Sequence, residues 1–217
     1  VIWEKEMSAD LTKKITGNLA IGPNLPRRGN RISRGLAVLI MALFGWRITG
    51  NVPDIPKFVI IGAPHSSNLD FLLVIATASA LGIRISWMAK HTLFRGPLNN
   101  FFRWMGGIPV DRGATNGIVG DTIETFNKQE KLIVCITPEG TRRQLNKWKS
   151  GFYHIALGAN VPVMMAAFDY GTKVVDLGPM LVPSGDFETD FVNIKAHYAG
   201  VKPRNEHHYI ENKANPT

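Results

Sequence analysis

Cysteine is almost absent: the 217 residues hold one thiol, Cys135, which excludes an internal disulfide framework. No CxxC pair or His/Cys ladder is present either, so nothing suggests structural zinc. The lone thiol favours a reducing compartment over secretion, and its place inside the apolar run LIVCI marks it as a buried core side chain rather than a reactive one. Acid is scarce. Seventeen Asp and Glu face twenty-five Lys and Arg, giving a net charge of +8 and a pI near 9.7. That balance implies an anionic partner, whether nucleic acid, phospholipid head groups or a phosphorylated substrate.

Long apolar runs are missing too. Leu36 to Trp46 (LAVLIMALFGW) is the longest uncharged apolar stretch, and it is well short of the roughly 20 residues that a spanning helix needs. The first ten residues are mixed polar and do not read as a secretory signal. Four familiar motifs are also lacking: the GxSxG elbow, the GxxxxGK[ST] phosphate loop, GxGxxG and HExxH. Serine hydrolase, P-loop NTPase and zincin chemistries lose their usual carriers.

With 45% apolar residues, the chain has material for one compact domain with a core of its own. Residues 1–30, rich in Gly and Pro, read as a loosely structured leader. Residues 31–50 read as an apolar helical segment that docks on a membrane. It is preceded by Arg27, Arg28, Arg31 and Arg34 and followed by Trp46 and Arg47, the composition of a helix lying in an anionic interface. The catalytic domain is expected over 51–217.

There, short β-branched runs alternate with helical patterns. Strands are expected at Lys57–Ala63, Ile83–Ala89, Ile108–Val110, Leu132–Ile136, Val161–Phe168 and, as an edge or hairpin strand, Thr172–Leu177. Helices are expected at Asn68–Leu81 with Gly82 closing it, Leu93–Met105 interrupted at Pro97, Gly117–Lys128, Ser150–Leu157 and Phe187–Tyr198. This alternation predicts an α/β fold with a mostly parallel central sheet flanked by helices. Ligands of such sheets bind beyond the carboxyl ends of the strands.

Three polar clusters fall at such ends. In the first, His65-Ser66-Ser67-Asn68-Leu69-Asp70, His65 and Asp70 can meet only if the histidine lies in the turn and the aspartate in the first helical turn, because five helical residues separate two side chains by about 140°. Such a pair is either a base dyad, with Asp70 orienting the imidazole, or a capping Asp beside a turn His. In the second, Gly106 to Gly113, Arg112 offers a planar fork to phosphate or a partner to Asp111. The third, Thr137-Pro138-Glu139-Gly140-Thr141-Arg142-Arg143 with Lys149 shortly after, reads as an anion cradle or as a basic turn.

In this order the clusters resemble the lysophospholipid and glycerophosphate acyltransferase family, in its bacterial 1-acyl-glycerol-3-phosphate acyltransferase-like branch. The family's NHxxxxD block corresponds to Pro64-His65 through Asp70, its strand ending in Asp-Arg to Gly107 through Arg112, and its PEGTR block to Pro138 through Arg142. An apolar Val-Pro block is similar to Val161-Pro162-Val163, and the likeness spans roughly residues 35–200. Pro64 stands where the family commonly has Asn, and Arg143 where many members have Ser.

The resemblance implies transfer of a fatty acyl group from acyl-coenzyme A or acyl carrier protein to the hydroxyl of a lysophospholipid-type acceptor, foremost lysophosphatidic acid. It implies no bound cofactor, no metal and no acyl-enzyme. His65 would be the general base and Asp70 its orienter, while Arg112, Glu139, Gly140, Thr141, Arg142 and Lys149 would bind substrate. Expected partners are the lipid acceptor, the acyl donor and an anionic membrane surface, with no nucleic acid, at the cytoplasmic face of an inner or plasma membrane. Ornithine lipids and glycolipids remain alternative acceptors, and a basic nucleic-acid-binding module is the rival of another class. Phe101, Phe102 and Trp104 are expected to pack or to line an acyl groove.

Overall fold

A computed structural model describes residues 2–17, 19–110, 117–140 and 148–205. Seven strands form one sheet: β1 (Arg47–Gly50), β2 (Lys57–Ala63), β3 (Ser86–Lys90), β4 (Gly107–Val110), β5 (Leu132–Ile136), β6 (Val163–Asp169) and β7 (Val174–Leu181), in the spatial order β1-β7-β6-β2-β5-β3-β4. Only the β6–β7 hairpin is antiparallel. Helices α1 (Ile2–Thr16), α2 (Arg31–Leu43) and α3 (Asn68–Leu81) pack with one face. Helices α5 (Gly117–Lys128), α6 (Gly151–Gly158) and α7 (Phe187–His197) pack with the other, and the short α4 (Asn99–Trp104) precedes β4.

Alternation along the strands builds both cores. Phe58 and Ile60 of β2, Ile133 and Cys135 of β5, and Met164, Ala166 and Phe168 of β6 are buried toward α1–α3. Their neighbours Val59 and Ile61, Leu132 and Val134, and Val163 and Met165 are buried toward α5–α7. Strands covered on both faces are apolar at nearly every position, which is why they appear in the sequence as continuous runs.

The leader reading is corrected. Residues 2–16 form a helix, and Ile15 and Leu25 are buried in the core. The stretch after it is held by Asn24 donating to Asp54 and by Lys131 donating to the Pro23 carbonyl. Among the described side chains of this helix, Leu11 and Ile15 face the core, too few to register as a periodic stripe.

The second boundary also shifts. An Asn30–Ser33 capping box starts α2 at Arg31. Gly45, at a φ of 73°, ends it, with the Trp46 N–H donating back to the Met41 carbonyl. Residues 47–50, expected within the docking segment, instead form β1 and pair with β7. That pairing covers β7, which is therefore a hairpin strand but not an edge. A four-residue strand with one buried side chain, Ile48, carries no pattern that a sequence reading can count.

Candidate active site

The parallel strands place the ends of β2, β5 and β6 side by side, with β2 between its two neighbours. The connection after β2 runs through α3 on one face and that after β5 through α6 on the other, so a crevice opens where they part. His65 enters from β2, Glu139 from β5 and Tyr170 from β6.

Ser67 caps α3, its Oγ accepting from the Leu69 N–H, and Asp70 completes a capping box as the third helical residue. This fold of the loop brings His65 and Asp70 together. His65 Nδ1 lies 3.2 Å from Asp70 Oδ2, without the alignment of a full hydrogen bond. Asp70 is 1% exposed. Its Oδ2 accepts from the backbone N–H groups of Ser66 and Ser67, each at 2.7 Å, and its Oδ1 from Tyr170 Oη at 2.5 Å and Ser67 Oγ at 3.3 Å.

Burial alone would raise the Asp70 pKa. The groups from His65, Tyr170 and Ser67 outweigh it and hold the carboxyl below the ordinary aspartate range. The positive end of α3 acts in the same direction. Asp70 is therefore ionised and fixed, and His65 Nε2 is the nitrogen left to take a proton.

Glu139 contrasts with it. Its Oε2 accepts from the His65 backbone N–H at 2.8 Å, but its buried Oε1 has no hydrogen-bond partner among the described residues. Burial pushes this carboxyl up to about 7, against the lowering influence of the His65 N–H. Gly140 follows in the left-handed conformation, φ 65°, closing a turn with its N–H on the Thr137 carbonyl. The Lys149 side chain lies across it: a Cβ on Gly140 would stand 3.2 Å from Lys149 Nζ and 3.0 Å from its Cδ. The left-handed backbone is what favours glycine here. A cation thus borders the crevice beside Glu139.

Of the eight residues singled out, the structure brings together His65, Asp70, Glu139, Gly140 and Lys149. Arg112, Thr141 and Arg142 lie outside the described residues. Phe101, Phe102 and Trp104 lie on α4, ahead of the edge strand β4, and pack in an aromatic cluster with Phe94. There Phe101 stacks on Trp104 and Arg28 lies over the Trp104 ring. Tyr170 and Asn205 escaped the sequence reading: no motif marks them, although the first residue after a buried parallel strand was a place to look. Among the described residues, no group of three His, Cys, Asp or Glu is placed to hold a metal ion, and no helix is long and apolar enough to cross a membrane.

Comparisons with known proteins bear on this site. No curated protein matches the chain. The fold is similar to the crystal structure of the 1-acyl-sn-glycerophosphate (LPA) acyltransferase of Thermotoga maritima, at a TM-score of 0.51 and 16% identity over 79% of this chain and 80% of that one. The acyltransferase family matches residues 46–168, a segment holding β1 through most of β6 and with it His65, Asp70 and Glu139. On that match, the chain belongs to the acyltransferase family.

Proposed function

We propose that this acyltransferase moves a fatty acyl chain from an acyl-coenzyme A or acyl carrier protein thioester to the hydroxyl of a lysophospholipid-type acceptor, with lysophosphatidic acid as the foremost acceptor. One observation carries the reading: His65 stands at the mouth of the crevice with Nδ1 turned to an ionised, immobile Asp70. That is a base for a hydroxyl.

In this reaction His65 Nε2 takes the acceptor O–H proton as the oxygen attacks the thioester carbonyl. The tetrahedral intermediate collapses, the C–S bond breaks, and the imidazolium returns its proton to the departing thiolate. Asp70 stabilises the transient positive charge. No acyl group passes through the protein. Lys149, with Arg112 and Arg142, would hold the acceptor phosphate.

The surface suits a lipid substrate. Ala37, Val38 and Met41 turn inward, whereas Ile32, Leu36, Leu39, Ile40, Leu43 and Phe44 are all exposed along α2. Soluble surfaces rarely gather that much apolar area. Arg34 near the start of α2 lies against Gly82 at the end of α3, so the helices run antiparallel and the Leu43–Phe44 end approaches the start of α3, where Asp70 sits. Exposed Leu69 and Leu72 of α3 extend the apolar surface. Docking on an anionic leaflet through this surface, with Arg31 and Arg34 at head-group level, would present the crevice to a lipid arriving sideways.

The test is transfer of labelled acyl groups from each donor to a panel of lysolipids in mixed micelles. Product from lysophosphatidic acid supports the reading, product from another lysolipid alone reassigns the acceptor, and no product from folded protein with any pair refutes it.

A further inference from the structure

The residues that hold the His65–Asp70 loop do not all belong to the loop or to the segment matched by the family. Two of them, Tyr170 and Asn205, lie beyond residue 168. Tyr170 follows β6, and its hydroxyl donates to Asp70 Oδ1 at 2.5 Å. Asn205 comes back over the loop from the far side of α7. Its Nδ2 donates to the Ser66 carbonyl at 3.1 Å and its backbone N–H to Ser66 Oγ at 3.2 Å. Ser66 in turn supplies one of the two backbone N–H groups on Asp70 Oδ2.

The two contacts are linked. The Tyr170 N–H donates to the Lys202 carbonyl and the Lys202 N–H to Asp169 Oδ1, which ties residues 202–205 to the end of β6. The Tyr170 ring also meets Trp46 edge to face, with centroids 4.9 Å apart. Its position is set on three sides.

We propose that Tyr170 is a positioning residue of the acyl-transfer base, fixing Asp70 so that Asp70 can fix His65, and that Asn205 secures the same loop from the C-terminal side. The proposal rests on the reading of His65 as the base. Without the Tyr170 hydroxyl, Oδ1 keeps the 3.3 Å contact from Ser67 Oγ, and the carboxylate is pinned mainly through Oδ2, on the Ser66 and Ser67 N–H groups, with less to fix its turn about the Cβ–Cγ bond. Burial, with Asp70 beside it, pushes the Tyr170 phenol upward, so the hydroxyl remains a donor at every working pH. The charged and titratable groups facing this cluster are His65 and Asp70 themselves, Glu139 from β5 and Arg204 from the C-terminal segment.

Removing the donor has a definite electrostatic sign. A carboxylate with one donor fewer presents more unbalanced negative charge to the imidazole, so the acid limb of kcat/KM moves to higher pH. A residue that merely packs would leave that limb in place.

The experiment compares Tyr170→Phe with the parent, both alone and in an Asp70→Asn background. For Tyr170→Phe alone, kcat should fall about tenfold with KM for donor and acceptor nearly unchanged, and the acid limb should rise. In the Asp70→Asn background the same change should cost almost nothing, because the two residues act in series. An unchanged kcat and pH profile, or an equal loss in both backgrounds, overturns the proposal. A second readout needs no activity and so separates this idea from the acyl-transfer reading. Nitrogen-15 spectra of histidine-labelled protein should show His65 as the Nδ1–H tautomer, with the Nε2–H form growing in Tyr170→Phe; equal tautomer populations in both proteins would refute positioning. Should Tyr170→Phe fail to fold, Asn205→Ala takes its place, with a roughly threefold fall in kcat expected and an unchanged rate contradicting the brace.

Discussion

Two loops meet at His65, and they treat a carboxylate in opposite ways. In the loop after β2, Asp70 is saturated with donors and held ionised. In the loop after β5, Glu139 has one oxygen engaged and one buried without a partner among the described residues, and its carboxyl is pushed up to about 7. Both side chains are buried within reach of the same histidine. What differs is the count of N–H and O–H groups aimed at each, and that count decides which carboxylate is a permanent anion and which stays poised between states. The first is suited to orient a base.

The comparison breaks most sharply at Asp70. Asp70→Asn, which keeps the shape and removes the charge, should lower kcat by about 10²-fold or more with the fold retained, since an amide both weakens imidazolium stabilisation and permits the wrong ring tautomer. Steady-state rates beside a thermal melt check this. A smaller loss than that of any Lys149 variant would place the chemistry elsewhere.

Glu139 gives the converse test, in stability rather than rate. Its folded-state carboxyl titrates near 7 against an ordinary value of 4.5, so between those values the native state binds more protons than the unfolded one. Stability from this group is present below about pH 4.5 and is lost as pH rises toward 7. A shift of that size corresponds to something on the order of 3 kcal/mol at neutral pH. Glu139→Gln keeps an acceptor for the His65 N–H, and should flatten the decline. Denaturant melts at pH 5 and 8 read the difference, and parallel pH dependences in the two proteins would deny the carboxyl its shift.

The two faces of the sheet extend the contrast to the surface. Exposed apolar residues are strung along α2, whereas the opposite helices expose Leu157 and Val192 singly. Leu36→Glu with Ile40→Glu should weaken sedimentation with anionic vesicles at least tenfold while leaving the melt unchanged. Equal binding by the two proteins, or none by the parent, would count against docking through α2. The smallest effect concerns Cys135. Burial pushes its thiol up to about 12, so native protein should resist a thiol reagent that labels the denatured chain at once.

Much of this was legible in the sequence where local chemistry agreed with burial. Asn68–Leu81 carries Ser67 at its start and Gly82, at a φ of 66°, at its end, and Leu132–Ile136 is a bounded apolar run, so both appear with the bounds expected of them. The meeting of His65 with Asp70 was readable too, because a turn followed by a capped helix is the arrangement that closes a five-residue separation. Helix α1 and strand β1 were not readable: among the described side chains one or two anchor each, and their order comes from neighbours distant in sequence. Tyr170 and Asn205 were hidden for a similar reason. They reach the site across 100 and 139 residues of chain respectively, which no local pattern encodes.

The most direct measurement is acyl transfer by His65→Ala beside the wild-type protein, on the acceptor that the lysolipid panel selects, with folding followed by circular dichroism. The account predicts a loss of about 10²–10⁴-fold with the melt intact. A folded His65→Ala protein that transfers acyl groups at the wild-type rate would contradict it.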